Sequence, residues 1–296
     1  MITQDFFVPL FLHVALNVLF LQVEDCLVLA RLASELPELR YKAYLLPGTD
    51  TATGQNVGLL TRVDPVIDLE RTSNRNSALP SSRCYVARDL SAGHYDYQPT
   101  GLSKHYHTAI RLGGHLLHLY GVHLKADPNA PLACIQREGQ ALVLREYILS
   151  HLRPSSPAST TSGSGIESHA AAFSGVTHQH VVVLGDLNDF DPSFAHDPTL
   201  STPRSVVIPT LLALSPQTES DNLFNAAAKL RAVDRYSWEG ALHGAPRHRS
   251  LLDHMLLSKD LYDRIVRVEI PHHDLPSARD ASDHFPLLVK LDVSGF

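Results

Sequence analysis

The chain has 296 residues, 44% of them hydrophobic and 19% charged, enough for one large domain or two small ones without disulfide or metal staples. A formal net charge of -6 and a pI near 6.3 exclude tight, non-specific duplex binding by charge alone, although a metal in a cleft would supply its own positive field. The 18 histidines would charge in a mildly acidic compartment, but most are read as ordinary surface or core residues.

Phe6 to Leu21 is strongly apolar. Met1-Ile2-Thr3-Gln4-Asp5 ahead of it carry no basic residue, so it does not read as a secretory leader. His13 and Asn17 interrupt it as a membrane span, and it reads as the buried start of a sheet, with Val18 to Gln22 a strand. Leu27 to Leu39 has helical spacing, with Leu29, Leu32, Ala33 and Leu36 on one side and Pro37 near its end. Gln55 to Thr61 reads as a strand stopped by Asp64-Pro65, and Arg71 to Gly101 as a long irregular excursion. His107 to Leu112, Gly113-Gly114 and Leu116 to Leu124 form a hairpin pattern. Cys134 to His151 is helical by periodicity.

Residues 153–179 are rich in Ser, Thr, Ala, Gly and Pro and read as a flexible low-complexity insertion within a single domain spanning 1–296. His180 to Leu184, Leu251 to Leu257 and Phe285 to Leu291 complete the strand candidates. The helices are too few for a doubly wound fold, so two sheets packed face to face with helices outside fit best. Three cysteines fit no zinc motif; at most one bridge can form, with Cys84 and Cys134 the better candidates. A reduced cytosolic protein would look the same, which leaves the compartment open.

Four strand-end motifs carry chemistry. Gly185-Asp186-Leu187-Asn188 follows a Val-rich strand and delivers a carboxylate and an amide to a sheet edge; the plain alternative is a turn. Ser282-Asp283-His284 precedes the last strand, where the alternative is a capping Asp beside a solvated His. Asp253 lies in the apolar run Leu251 to Leu257, where a carboxylate is costly unless paired, and histidine is its natural partner. His123 ends the strand pattern Tyr120 to Leu124, and alone reads better as a core histidine.

The ordered set of His123, Asp186 with Asn188, Asp253, and Asp283 with His284 resembles the endonuclease/exonuclease/phosphatase superfamily of metal-dependent phosphodiesterases. Leu21-Gln22-Val23-Glu24-Asp25, Gln55 to Arg62, Ser103 to Tyr106, Cys134 to Glu138 and Arg235 to Trp238 extend the likeness toward a poorly characterised branch. The resemblance implies an α/β (α+β) class, a four-layered α/β sandwich of two packed mixed β-sheets flanked by helices. It implies that His123 and Asn188 contact a scissile phosphate and that Asp186 orients or deprotonates the attacking water. Asp253 would orient His284, which would stabilise developing charge or shuttle a proton. Lys104 stands where many relatives carry an arginine, keeping charge without bidentate geometry. Glu24, Asp186 and Asp283 would hold Mg2+ or Mn2+, hard ions suited to oxygen ligands.

The chain departs from the family pattern in two places. Relatives read Gln-Glu-Val, whereas here Gln22 is followed by Val23, Glu24 and Asp25, a one-residue slip that reverses side-chain direction in a strand. A bulge could rescue Glu24, or Asp25 could substitute. No strand-plus-Asn is visible ahead of Gln22, and Asn17 is too close to it, so the chain reads as truncated at its N-terminus. The expected function is metal-dependent phosphodiester hydrolysis, with nucleic acid as substrate and no stable membrane insertion. The alternatives are a phospholipid or inositol-phosphate phosphoesterase on the same fold, and a catalytically impaired or truncated pseudoenzyme. An upstream signal peptide would place the protein in a secretory or endomembrane lumen; otherwise it would be intracellular.

Overall fold

The computed structural model describes residues 10–13, 18–50, 54–76, 84, 99–127, 131–152, 178–194, 205–215, 218–240, 248–272 and 282–296. In chain order the described strands are β1 (Leu10–His13), β2 (Val18–Val23), β3 (Lys42–Leu45), β4 (Asn56–Thr61), β5 (Ile67–Glu70), β6 (Arg75–Asn76), β7 (Thr100–Gly101), β8 (Lys104–Leu112) and β9 (His115–His123). There follow β10 (His178–Asp186), β11 (Leu223–Asn225), β12 (Trp238–Gly240), β13 (His248–Ser250), β14 (Asp253–Ser258), β15 (Ile265–Glu269) and β16 (Leu287–Leu291). The α-helices are α1 (Cys26–Glu35), α2 (Pro131–Leu152), α3 (Val207–Leu212) and α4 (Lys259–Asp263).

One sheet has the order β15-β16-β1-β2-β4-β3 and the other β11-β14-β10-β9-β8-β5. Both mix parallel and antiparallel pairs: β10 runs parallel to β9 and antiparallel to β14, while β1 runs parallel to β16 and antiparallel to β2. Strand alternation sorts the apolar residues into layers. Val57, Leu59, Leu287 and Val289 of the first sheet meet Tyr106, Ile110, Leu119, Val182, Leu184, Met255 and Leu257 of the second in one core. The other face of the second sheet buries Tyr120, Val122, Val181 and Val183 under Ala141, Leu144 and Ile148 of α2. Val23 and Leu60 on the outer face of the first sheet pack on Leu29 of α1. Gly58 is needed there, because a Cβ would lie 2.8 Å from Leu29 Cδ2. These layers are the expected four-layered α/β sandwich.

Several sequence expectations are corrected. A strand does precede Gln22: β1 fills the slot between β2 and β16, while Asn17 lies outside the described residues. β3, β5 and the short α3 were not expected; each is too brief for periodicity to separate it from a loop. The first two residues of the hairpin's second strand, His115 and Leu116, and the last two of the proposed insertion, His178 and Gln179, pair with each other as the start of β9 and β10. Residues 153–177 lie outside the described residues. Cys84 and Cys134 form a disulfide, and Cys26 is a free, exposed thiol. No helix among the described residues is long and apolar enough to cross a membrane.

Candidate active site

Strand register builds the site. Lys104 pairs with His123, His123 with Asp186, and Asp186 with Asp253, giving one row across β8, β9, β10 and β14. The next row in that direction is Tyr106, Gly121, Leu184 and Met255, and the side chains of Tyr106, Leu184 and Met255 enter the core between the sheets. Residues two apart share a face, so the polar row extends the core face to the sheet's end. The same rule applies opposite: Gln22 pairs with core-facing Val57, so Gln22 faces the core and Val23 faces α1. Glu24 follows Val23 at a bend just beyond the end of β2 and is half-buried.

Beyond Asp186 the chain turns through Asn188 in the left-handed region at φ 49°, a conformation asparagine tolerates better than most residues. The turn folds the amide back: Asn188 N donates to Asp186 Oδ1 at 2.8 Å, and Asn188 Nδ2 donates to Asp186 Oδ2 at 3.0 Å and to the Leu124 carbonyl at 3.3 Å. His123 Nε2 lies 3.8 Å from Asp186 Oδ2. The segment ahead of β16 brings His284 Nδ1 to 2.6 Å from Asp253 Oδ2. Asp253 is thus paired with His284 and not with adjoining His254, whose nitrogens face Asn225 Nδ2 and the Asp189 carbonyl.

Burial sets the electrostatics. Desolvation, followed by the charge of Asp253, lifts the Asp186 carboxyl to about 7. Burial works against charge on His284, but the charge and hydrogen bond of Asp253, helped by Asp186 and Asp283, overcome it and raise the imidazole to about 10. Burial, then the positive charges of Lys104 and His284, lower His123 to about 3. Burial also lowers Lys104. The result is a neutral imidazole and a cationic one on either side of a carboxyl poised near neutrality.

The donor set fits a divalent cation. Asp186, Asp253 and His284 present ligand atoms within 4.8 Å of one another. Asp253 Oδ1 and His123 Nδ1 are buried without a hydrogen-bond partner. His284, held cationic, balances Asp253, and the Asp186 and Asp283 carboxyls beside that pair leave acidic charge for a bound cation. Asp283 adds its charge to Asp186 and His284, with one oxygen, Oδ2, accepting from Trp238 Nε1 at 3.1 Å. Asp25, the considered substitute for Glu24, is committed to capping α1, its Oδ1 accepting from Leu27 N at 2.8 Å and Val28 N at 2.9 Å. Asn56 ties the Glu24 end of β2 to the site's border: its Nδ2 donates to the Glu24 carbonyl at 2.5 Å, and its Oδ1 accepts from Gly48 N at 2.8 Å. Gly48 in turn lies against Ser103 and Lys104.

The structure brings Lys104, His123, Asp186, Asn188, Asp253, Asp283 and His284 to one sheet end, and places Glu24 at the end of β2 in the facing sheet. Sequence reasoning missed the supporting residues. Ser237 Oγ accepts from Leu252 N at 3.1 Å and Asp253 N at 3.0 Å, fixing the start of β14. Trp238 bridges to His284 and holds Asp283. The only signal for them was their place in the Arg235-Tyr236-Ser237-Trp238 motif, because a serine or tryptophan that acts through another residue has no periodic signature.

The arrangement has the fold seen in solved phosphatase and AP endonuclease structures. No family model matches the chain, and neither does any curated protein sequence. Among solved structures it is similar to the Neisseria 3′ phosphatase NExo bound to product DNA hairpin, with a TM-score of 0.53, 15% identity, and coverage of 93% of this chain and 88% of that one. It is also similar to an AP endonuclease from Archaeoglobus fulgidus, with a TM-score of 0.50, 13% identity, and coverage of 93% and 89%.

Proposed function

We propose that the protein is a divalent-metal-dependent phosphodiesterase that acts on nucleic acid. The observation that carries this reading is the in-register row Lys104, His123, Asp186 and Asp253, completed by the 2.6 Å contact between Asp253 and His284. Asp186 orients the attacking water and accepts its proton, a role suited to a carboxyl lifted to about 7. Asn188, held by Asp186 and the Leu124 carbonyl, and neutral His123 position the phosphate. His284, kept cationic by Asp253, offsets charge that develops on the phosphoryl oxygens or passes a proton to the leaving oxygen. Lys104 adds positive charge at the row's end.

Asp186 and Asp283, with Glu24 from the facing sheet, would hold Mg2+ or Mn2+, and carboxylate oxygens favour those ions over softer ones. When bound, such an ion polarises the phosphoryl oxygens and stabilises the leaving oxygen. The DNA product named for the Neisseria phosphatase supports a nucleic-acid substrate over a lipid or inositol phosphate. The Cys84–Cys134 disulfide supports an oxidising compartment.

The test is hydrolysis of bis-(p-nitrophenyl) phosphate and of single- and double-stranded DNA with Mg2+ or Mn2+, then with excess EDTA. Turnover should vanish in EDTA and fall by ~10²-fold or more in Asp186→Ala and His284→Ala, both remaining folded. Activity that survives both substitutions would remove the site assignment. A folded, monodisperse protein without turnover on any of these substrates would support the impaired-enzyme alternative.

A further inference from the structure

A second polar cluster lies on the opposite face of the same sheet, under α2. Glu70 of β5, His107 of β8 and His151 near the end of α2 present ligand atoms within 4.8 Å of one another. His107 Nδ1 is 2.8 Å and His151 Nε2 is 3.0 Å from the same oxygen, Glu70 Oε1. Each ring's other nitrogen is also engaged. His151 Nδ1 lies 2.9 Å from the Tyr147 carbonyl and 3.0 Å from the Tyr120 hydroxyl. His107 Nε2 lies 3.0 Å from His118 Nδ1, and His118 Nε2 lies 3.2 Å from Gln179 Oε1.

The proton count across these contacts is informative. A carbonyl only accepts, so His151 carries its proton on Nδ1, and in the neutral ring Nε2 is a bare lone pair aimed at the carboxylate. If His118 donates to Gln179, it accepts from His107 Nε2, and the lone pair of neutral His107 falls on Nδ1, aimed at the same oxygen. Two lone pairs facing one carboxylate oxygen repel unless a cation stands between them. The His107 and His151 rings stack with centroids 3.8 Å apart and His107 is fully buried, so one shared cation suits the site. A dication with two neutral imidazoles satisfies all three ligands.

We propose that Glu70, His107 Nδ1 and His151 Nε2 form a second metal site, for a zinc-class ion rather than Mg2+. Two imidazoles and one carboxylate are borderline-soft donors that select such ions. The outer contacts to Tyr147, His118 and Gln179 are the orienting hydrogen bonds that metal-bound histidines require. Bonds of ~2.0–2.1 Å in tetrahedral geometry place ligand atoms roughly 3.3 Å apart, so the carboxylate moves outward by a few tenths of an ångström on loading. It has room, since Glu70 is 32% exposed and borders a cavity of about 1040 Å³ lined also by Arg71, Thr72, His105 and Gln136. Water or a ligand atom would fill the fourth position. The site ties α2 to β5 and β8, and it does not depend on the phosphodiesterase reading.

The experiment is titration of the EDTA-stripped, dialysed full chain with Zn2+ and with Co2+ in excess Mg2+, read by calorimetry and by the d–d absorption of four-coordinate Co2+. One equivalent should bind. Glu70→Gln and His151→Gln should each weaken it by ~10-fold or more, whereas Asp186→Asn should leave it in place. Failure of the wild-type chain to bind Zn2+ or Co2+ would overturn the site and leave protons as the cations. So would binding that is undiminished in both variants. Wild-type stoichiometry does not depend on how well a variant folds, so the proposal stays testable if one melts early.

Discussion

Asp253 is wholly buried, with one oxygen on His284 and its backbone N–H on Ser237. Asp253→Asn keeps the shape and removes the charge that holds His284 cationic. Hydrolysis should fall by ~10²- to 10⁴-fold with little change in melting temperature, as rate measurements and circular dichroism would show. Gly48 tests the other end of the row. A Cβ there would sit 2.9 Å from the Ser103 carbonyl oxygen and 3.3 Å from Lys104 Cγ, so Gly48→Ala must displace the Lys104 strand end. Since an ångström of misplacement costs up to ~10²-fold, turnover should drop by roughly 10-fold or more. A Gly48→Ala enzyme with full turnover would show that Lys104 need not be held there. Asp186, Asn188, Asp283 and His284 were legible in the sequence because each stands in a short polar motif beside an apolar strand. Gly48, Asn56, Ser237 and Trp238 were not, because their roles arise only from contacts between distant segments.

At the scale of elements, α2 carries much of the second sheet's outer layer. Leu144 and Ile148 pack on the strand face, and Cys134 bridges to Cys84 across 50 residues of chain. Cross-linking a loop of that length restricts the unfolded chain by about 4 kcal/mol in the loop-entropy model. Cys134→Ser should therefore lower unfolding free energy by ~2–4 kcal/mol in urea titrations, and dithiothreitol should reproduce the loss in the wild type. An unchanged urea midpoint would show that the bridge contributes nothing to stability. The hairpin β8–β9 and the strand β10 were plain from alternation and from a valine run. β3, β5 and β11 were not, since segments of three or four residues owe their strand character to a neighbour's hydrogen bonds.

At the scale of the whole molecule, histidine burial shapes the response to pH. Burial above all lowers His105 to about 4, with the Arg71 charge adding to it, and burial lowers His118 to about 3. The unfolded chain, with histidines near 6.5, takes up those protons first. Stability from keeping them neutral is therefore complete above that value and is lost as pH falls from about 6.5 toward the folded values. His284 runs the other way: raised to about 10, it contributes stability that is fully present below about 6.5 and fades as pH rises through 10. The buried Asp186 carboxyl, lifted to about 7, opposes the loss at low pH by taking up a proton in the folded state over the same range. Urea midpoints should fall from pH 7 to pH 5; a rise over that range would show that Asp186 outweighs the buried histidines. The abundance of histidine thus points toward acid sensitivity once burial is known.

By itself the sequence determined the class of fold, the strands around the chemistry and most of the side chains in the site, since short-range alternation and strand-end polar motifs are local properties of the chain. Tertiary structure alone decided that Lys104, His123, Asp186 and Asp253 fall in one row across four strands, and that Glu70, His107 and His151 meet beneath α2. Each of these depends on register between strands or on a helix lying across a sheet, and register is set by pairing over tens of residues, which no local pattern encodes.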